Sequence, residues 1–344
     1  MRGVRVSEWT TFDRLELLEI PTPARDSSEV RIRVQAAGIS FATSLVVQGK
    51  YQRKPPLPFV PGTEISGIVI DHGRAVTRFH VGDRVCAVLD WGGLAEEACA
   101  QEVNVFKIPA ALEFSRAIAF TNSYATSAAA LVWPHLLHVR EGQWLLVHGA
   151  SGGVGIAAVE IGKILGAIVI ATAGSPEKRS VARAHGADYT IDYRAQDFRE
   201  EVLKLTNGRG VDAVYDPVGG EVFMQSLRCL APEGRIMPVG FAGGEIPQIP
   251  ANILLIKNLT VCGLNMGLYY GWTPQDMRKV YAEKVRAHMH MLFDWFERGK
   301  INPIVDAAYP LTAFQTAMDD VLSRRAIGRV AVVMGDEALR LAAR

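Results

Sequence analysis

Between Trp144 and Gly155 the chain reads Trp-Leu-Leu-Val-His-Gly-Ala-Ser-Gly-Gly-Val-Gly, an apolar run that breaks into glycines. The residues before the break read as a strand over Trp144–His148, and those after it as a helix over Val154–Leu165. Four glycines in seven residues are costly to order. They are useful where a backbone must turn tightly and come close to a ligand. The helix that follows points free N–H groups and a partial positive charge at that turn, which suits a pyrophosphate. The stretch therefore predicts a dinucleotide-binding strand–turn–helix.

Its surroundings supply the context such a motif needs. Ile168–Ala171, Tyr189–Ile191, Ala213–Tyr215, Arg235–Val239 and Leu259–Gly263 read as further strands. Helices over Pro176–His185, Phe198–Thr206 and Glu221–Leu230 separate the earlier ones, the first capped by Ser175 with proline at its first position. Strands alternating with helices mean βαβ units and a parallel sheet. The first third of the chain is different. Val30–Ala36 alternates apolar and polar, Ile65–Ile70 follows Pro61-Gly62, and Gly82-Asp83 turns into Arg84–Val88. These are strands of a β-rich region, and Pro55, Pro56, Pro58 and Pro61 keep a central strand out of the loop between the first two. Ser115–Val132, Ala-rich and apolar, predicts a buried helix or helix pair. A long helix near Arg278–Arg298, a shorter one over Thr312–Ser323, a strand at Val330–Met334 and a frayed end over Glu337–Arg344 complete the reading. With 344 residues, two domains are expected.

Composition excludes several function classes. Thirty-seven Lys+Arg against 36 Asp+Glu leave a formal net charge of +1, which speaks against nucleic-acid binding or a polybasic membrane surface. Four cysteines without a Cys-x-x-Cys give neither a disulfide scaffold nor metal spacing. With no long apolar run and no signal-peptide pattern, the expectation is a soluble protein of the reducing cytoplasm.

The end of the second strand bears on cofactor choice. An NAD site carries an acid there for the ribose 2′-OH. This chain reads Gly174-Ser175-Pro176-Glu177-Lys178-Arg179, a small residue and a hydroxyl followed by two cations, which suits a 2′-phosphate. Ser175 doubles as a helix cap, and one of the two cations is expected to be only a solvated surface charge.

Taken together, the chain resembles the zinc-free quinone oxidoreductases, the zeta-crystallin-like branch of the medium-chain dehydrogenase/reductase superfamily. The resemblance rests on Gly38–Thr43, Gly49-Lys50-Tyr51, Pro61-Gly62, Gly82–Val85, Gly149–Gly155, Ile191–Arg194, Asp216–Gly220, Gly234–Gly240 and Gly328–Val330, and so covers essentially the whole chain. It implies an α/β fold: a Rossmann doubly wound parallel sheet, residues 121–264, inserted in a GroES-like β-rich substrate domain of residues 1–120 plus 265–344. It implies NADPH in the cleft. Ser151, Gly152, Gly153 and Val154 would contact the pyrophosphate. Gly174, Ser175, Lys178 and Tyr193 would surround the 2′-phosphate. Val218, Val239, Gly240, Phe241, Ala242, Leu264, Asn265 and Met266 would line the nicotinamide ribose and ring. Tyr51 and Arg324 would reach the cofactor from the substrate domain, and Thr126 would be a further cofactor contact. The family also implies a homodimer through an edge of the nucleotide sheet, here the last strand, Leu259–Gly263.

Two departures matter. Zinc members of the superfamily carry Gly-His-Glu, where this chain has Gly62-Thr63-Glu64, and the cysteines are too dispersed for a structural zinc lobe. No metal is expected. Many relatives have Asn and Asp where this chain reads Ser40-Phe41-Ala42-Thr43. The expected activity is hydride transfer from NADPH to a quinone. Tyr51, Ser40 and Thr126 are candidates to polarise the acceptor, in a pocket with Phe41 and Trp91. Two have a plainer reading: cofactor packing for Tyr51, a backbone-bonded helix hydroxyl for Thr126. An alternative is an enoyl or 2-haloacrylate-type reductase of an α,β-unsaturated carbonyl, with Arg53 or Lys54 as cation for an acidic substrate. An alternative of another class is a non-enzymatic cofactor-binding protein, crystallin-like or RNA-binding.

Overall fold

Strand alternation sets the first part of the molecule, which the computed structural model describes over residues 1–342. β1 (Arg2–Arg5) and β2 (Glu16–Glu19) pair antiparallel. β3 (Glu29–Ile39) buries Val30, Ile32 and Val34 and exposes Arg33, as period-two patterning requires. α1 (Phe41–Val47), β4 (Glu64–His72), β5 (Arg84–Val88), β6 (Glu97–Gln101) and β7 (Val105–Lys107) follow. The proline segment between α1 and β4 contributes only an isolated bridge, Val6 to Phe59.

α2 (Phe114–Ala119) and α3 (Ala125–Val132) are joined by a π turn over Phe120–Tyr124. The Ala-rich segment is thus one helical run with a local widening, a feature often found beside functional sites. Then the βα units begin: β8 (Trp144–Val147), α4 (Gly153–Ile164), β9 (Ile168–Thr172), α5 (Pro176–Ala184), β10 (Tyr189–Ile191), α6 (Phe198–Leu205), β11 (Val211–Asp216), α7 (Gly220–Cys229) and β12 (Leu230–Pro238). α8 (Ala251–Lys257), which buries no residue, leads to the short β13 (Thr260–Val261). All neighbours are parallel, in the order β10-β9-β8-β11-β12-β13. That is the Rossmann order, with the reversal between β8 and β11. Leu146, Ile170, Ile191, Val214 and Ile236, one from each of five strands, form its core with Val202, Phe223 and Leu227 of α6 and α7.

α9 (Met266–Tyr269), α10 (Ala282–Glu297), β14 (Val305–Pro310), α11 (Phe314–Leu322), β15 (Arg329–Val333) and α12 (Gly335–Ala342) close the chain. β14 and β15 extend the first sheet, giving β14-β15-β3-β4-β5-β7 with β6 on β3. The end expected to fray is instead helical through Ala342, while residues 343–344 lie outside the described residues. Glu337 is buried there; its N–H donates to Gln35 Oε1 (3.1 Å) and its carboxylate accepts the Ser115 N–H (3.4 Å).

The chain divides into two units. One comprises Met1–Asn122, Met266–Asp294 and the residues from Ile304 onward; the other comprises Ser123–Asn265 and Trp295–Pro303. The last segment is tied to the second unit by the Asn302 N–H, which donates to the Glu160 carboxylate at 3.0 Å. Among the described residues no helix is long and apolar enough to cross a membrane.

Candidate nucleotide and active site

The loop after β8 is drawn shut by its own backbone. Gly149 is left-handed (φ 55°), the Gly152 N–H donates to its carbonyl (3.0 Å), and the Ala150 N–H donates to Thr172 O (3.1 Å). Gly152 is the N-cap of α4, so Ser151, Gly152, Gly153 and Val154 sit where the helix opens its free N–H groups. A Cβ on Gly155 would lie 2.2 Å from Gly149 O, so the third residue of α4 must be glycine. Ser127 Oγ donates to Val154 O (2.9 Å) and lies 2.7 Å from the Tyr215 hydroxyl, which fixes the start of α4 from α3 and β11. At the base of the loop, buried His148 bonds Thr172 Oγ1 (3.0 Å) and Ser226 Oγ (2.8 Å). Burial pushes its imidazole down to about 3, so it is neutral. This tight, uncharged cradle fits a dinucleotide.

Gly174 and Tyr193 meet where β9 and β10 end, and Ser175 and Lys178 stand at the start of α5. Ser175 caps α5, its Oγ accepting the Lys178 N–H at 3.3 Å. Tyr193 covers Gly174 so closely that a Cβ there would stand 2.7 Å from the phenol oxygen and 2.9 Å from Arg194 Nε. A larger residue at this position would have to push the Tyr193 and Arg194 side chains aside. Of the two cations after Ser175, Arg179 pairs with Asp192 (2.5 Å). Arg194 was missed by reasoning along the sequence alone; its nearness to Gly174 follows from the pairing of β10 with β9.

Across the sheet reversal, Asp216 organises the loop after β11. Its Oδ1 accepts the N–H groups of Val218 (2.8 Å) and Gly219 (3.2 Å). Its backbone carbonyl accepts the Val239 N–H (2.7 Å), and Pro217 O accepts that of Ala242 (3.0 Å). Val218, Val239, Gly240, Phe241 and Ala242 are thereby laced into one wall. Leu264 and Asn265 follow β13. Burial lifts the Asp216 carboxyl from 3.8 to about 6, against the two N–H donors that favour its charge. Each tenfold change in proton affinity is worth about 1.4 kcal/mol, so charging it costs the folded state up to about 3 kcal/mol at neutral pH. With the folded value above the unfolded one, the penalty is absent below pH 3.8 and complete above about 6. Melting temperatures from pH 4 to 7 should therefore fall for the wild type relative to Asp216→Asn. Parallel curves would show that Asp216 does not titrate in this window.

The remaining candidates are placed as follows. Thr126 is buried on α3. Ser40 is the N-cap of α1: its N–H donates to Thr43 Oγ1 (3.3 Å), and the two hydroxyls are 3.2 Å apart. Tyr51 is half-buried, and burial, with the Glu64 charge adding, pushes its phenol up, so it keeps its proton. Met266 opens α9, and Arg324 is exposed in a left-handed conformation (φ 56°) after α11. These last four, Ser40, Tyr51, Met266 and Arg324, belong to the first unit. In that unit Arg53 is held by Asp90 (2.8 Å) and lies over the rings of Trp91 and Trp272, so its charge is already matched.

The residues do not fit a zinc ion. Among the described residues no group of three or more His, Cys, Asp or Glu could hold a metal. Glu64, next to Thr63, is bound instead by buried Arg329 and by Asn122 Nδ2 (2.6 Å), and the four cysteines are free.

A Rossmann sheet with a closed glycine loop, set within the sequence of a β-rich unit, is the architecture of the medium-chain dehydrogenases and reductases. Residues 26–110 match the family model for the alcohol dehydrogenase GroES-like domain, and residues 153–285 that for zinc-binding dehydrogenase. The chain is 41% identical over 309 residues to the quinone oxidoreductase-like protein 2 homolog of Nematostella vectensis, covering 89% of this chain and 82% of that protein. It is 38% identical over 331 residues to quinone oxidoreductase-like protein 2 of Bos taurus, covering 96% and 92%. The crystal structure of Escherichia coli quinone oxidoreductase complexed with NADPH superposes with a TM-score of 0.87 at 27% identity, covering 97% of this chain and 100% of that one. The chain belongs to the quinone oxidoreductase branch of the medium-chain dehydrogenase/reductase superfamily.

Proposed function

We propose that the protein is an NADPH-dependent quinone oxidoreductase, independent of zinc. The observation that carries the cofactor choice is Gly174 lying beneath Tyr193 and Arg194, so that a glycine, a phenol and a guanidinium stand where an NAD site has its acid. The quinone rests on the relatives' names, and no observation favours an acidic acceptor, since Arg53 is engaged by Asp90. When bound, NADPH supplies a hydride. Ser151, Gly152, Gly153 and Val154 hold the pyrophosphate; Gly174, Ser175, Lys178 and Tyr193 hold the 2′-phosphate; Val218, Val239, Gly240, Phe241, Ala242, Leu264, Asn265 and Met266 line the nicotinamide end, with Arg324 a further contact. Tyr51 keeps its proton at neutral pH, so its Oη can donate a hydrogen bond to the developing oxyanion of the acceptor. Ser40 and Thr126 are the other hydroxyls assigned to that task. The proton that completes the hydroquinone comes from water. Residues 121–264 form the cofactor domain and residues 1–120 with 265–344 the substrate domain. The activity is assigned to the cytoplasm, in keeping with the free cysteines.

NADPH consumption should rise on adding a quinone such as a benzoquinone, and exhaustive chelation should leave that rate unchanged. No acceptor-dependent oxidation, or activity lost together with a stoichiometric metal, would overturn the proposal.

The protein is further proposed to be a homodimer. Among the described residues β13 pairs only with β12 and leaves an edge open, and Ile246, Leu255 and Ile256 of the preceding segment are 65%, 78% and 76% exposed. Light scattering at micromolar concentration should give twice 37.5 kDa; the monomer mass would contradict it.

A further inference from the structure

Where β9 and β10 leave the sheet they leave side by side. Ile191 pairs with Thr172, so Tyr193 and Gly174, each two residues further on, depart together. Asp192 then turns the chain: its Oδ1 accepts the Arg194 N–H (3.0 Å), and its carbonyl accepts those of Ala195 (3.1 Å) and Gln196 (2.9 Å). This turn returns Tyr193 and Arg194 over Gly174, with Arg194 Nε 2.9 Å from where a Cβ would stand. The other carboxylate oxygen of Asp192 takes Arg179 at 2.5 Å. One acid thus fixes the turn and matches the charge of Arg179, while among the described residues no acid pairs with the exposed Arg194.

We propose that Arg194, rather than Arg179, joins Lys178 in reading the 2′-phosphate of the nucleotide. A planar guanidinium can donate two parallel hydrogen bonds to a phosphate, which the point charge of a lysine cannot. Its place beside Gly174 also means that an acid there would pair with Arg194 and take the cation away from the phosphate. The inference rests on the NADPH reading above and adds the residue that enforces it.

The test uses binding rather than turnover, with 2′,5′-ADP and 5′-AMP as probes in titration calorimetry. Wild type should bind 2′,5′-ADP at least about tenfold tighter than 5′-AMP. Arg194→Ala should weaken 2′,5′-ADP by about 10–100-fold, the worth of one or more charge-assisted hydrogen bonds, and leave 5′-AMP within about twofold. Arg194→Lys should fall between. Wild-type preference retained in Arg194→Ala, or both probes weakened equally, would overturn the assignment of Arg194 while leaving the NADPH reading in place. A wild type without preference would overturn both.

Discussion

Gly155→Ala should weaken NADPH binding by at least about a hundredfold. The added methyl would stand 2.2 Å from Gly149 O and 2.8 Å from Ala150 Cα, both backbone atoms that no side-chain rotation can move aside. The loop cannot retreat freely either. Gly149 is left-handed and its carbonyl already accepts the Gly152 N–H at 3.0 Å, so displacing it opens the turn that α4 starts from. Losing one or two charge-assisted hydrogen bonds to the pyrophosphate, each worth about 1.5–3 kcal/mol, corresponds to about a hundredfold in affinity. Overpacking adds a stability cost of about 1–3 kcal/mol. Fluorescence titration with NADPH, with circular dichroism to show that the variant is folded, measures the effect. Wild-type affinity in a folded variant would mean that the glycine loop does not hold the pyrophosphate.

Lys178→Ala should narrow the preference for NADPH over NADH in kcat/KM by about tenfold or more. Lys178 follows the Ser175 cap, its N–H donating to Ser175 Oγ in the first turn of α5. A dianionic phosphate meeting a cation gains charge-assisted hydrogen bonds worth about 1.5–3 kcal/mol each, or roughly 10–100-fold in affinity. The 2′-phosphate is remote from the hydride and is bound equally in ground and transition states, so the loss belongs in KM. KM for NADPH should rise, and both parameters for NADH should stay nearly unchanged. A fall in kcat with both cofactors would show that Lys178 serves the chemistry or the fold instead.

The nucleotide unit was largely legible from its residues because each strand and helix carries its own period. Tyr189–Ile191 was read to the residue, as was Arg84–Val88 in the β-rich unit. α8 was not, since Ala251–Lys257 is a short, mostly apolar run with no buried residue and therefore no amphipathic stripe to read. β12 starts earlier than Arg235 because Leu230 already pairs with Val211 across a register shift, which local patterning does not reveal. The same holds for side chains. Gly174, Ser175 and Lys178 announce themselves by standing together in the sequence. Arg194 and Ser127 act across the fold, the first through the β9–β10 register and the second through its bonds to Val154 and Tyr215. The pairing of Arg179 with Asp192 likewise spans two segments that are distant in the sequence.

Equilibrium titration of the unmodified protein with NADPH and then NADH tests most directly the claim that this chain is built for the phosphorylated nicotinamide cofactor. One NADPH per chain should bind at least about tenfold tighter than NADH, with the difference shrinking as salt screens the phosphate contact. Equal affinities, or tighter binding of NADH, would contradict the account.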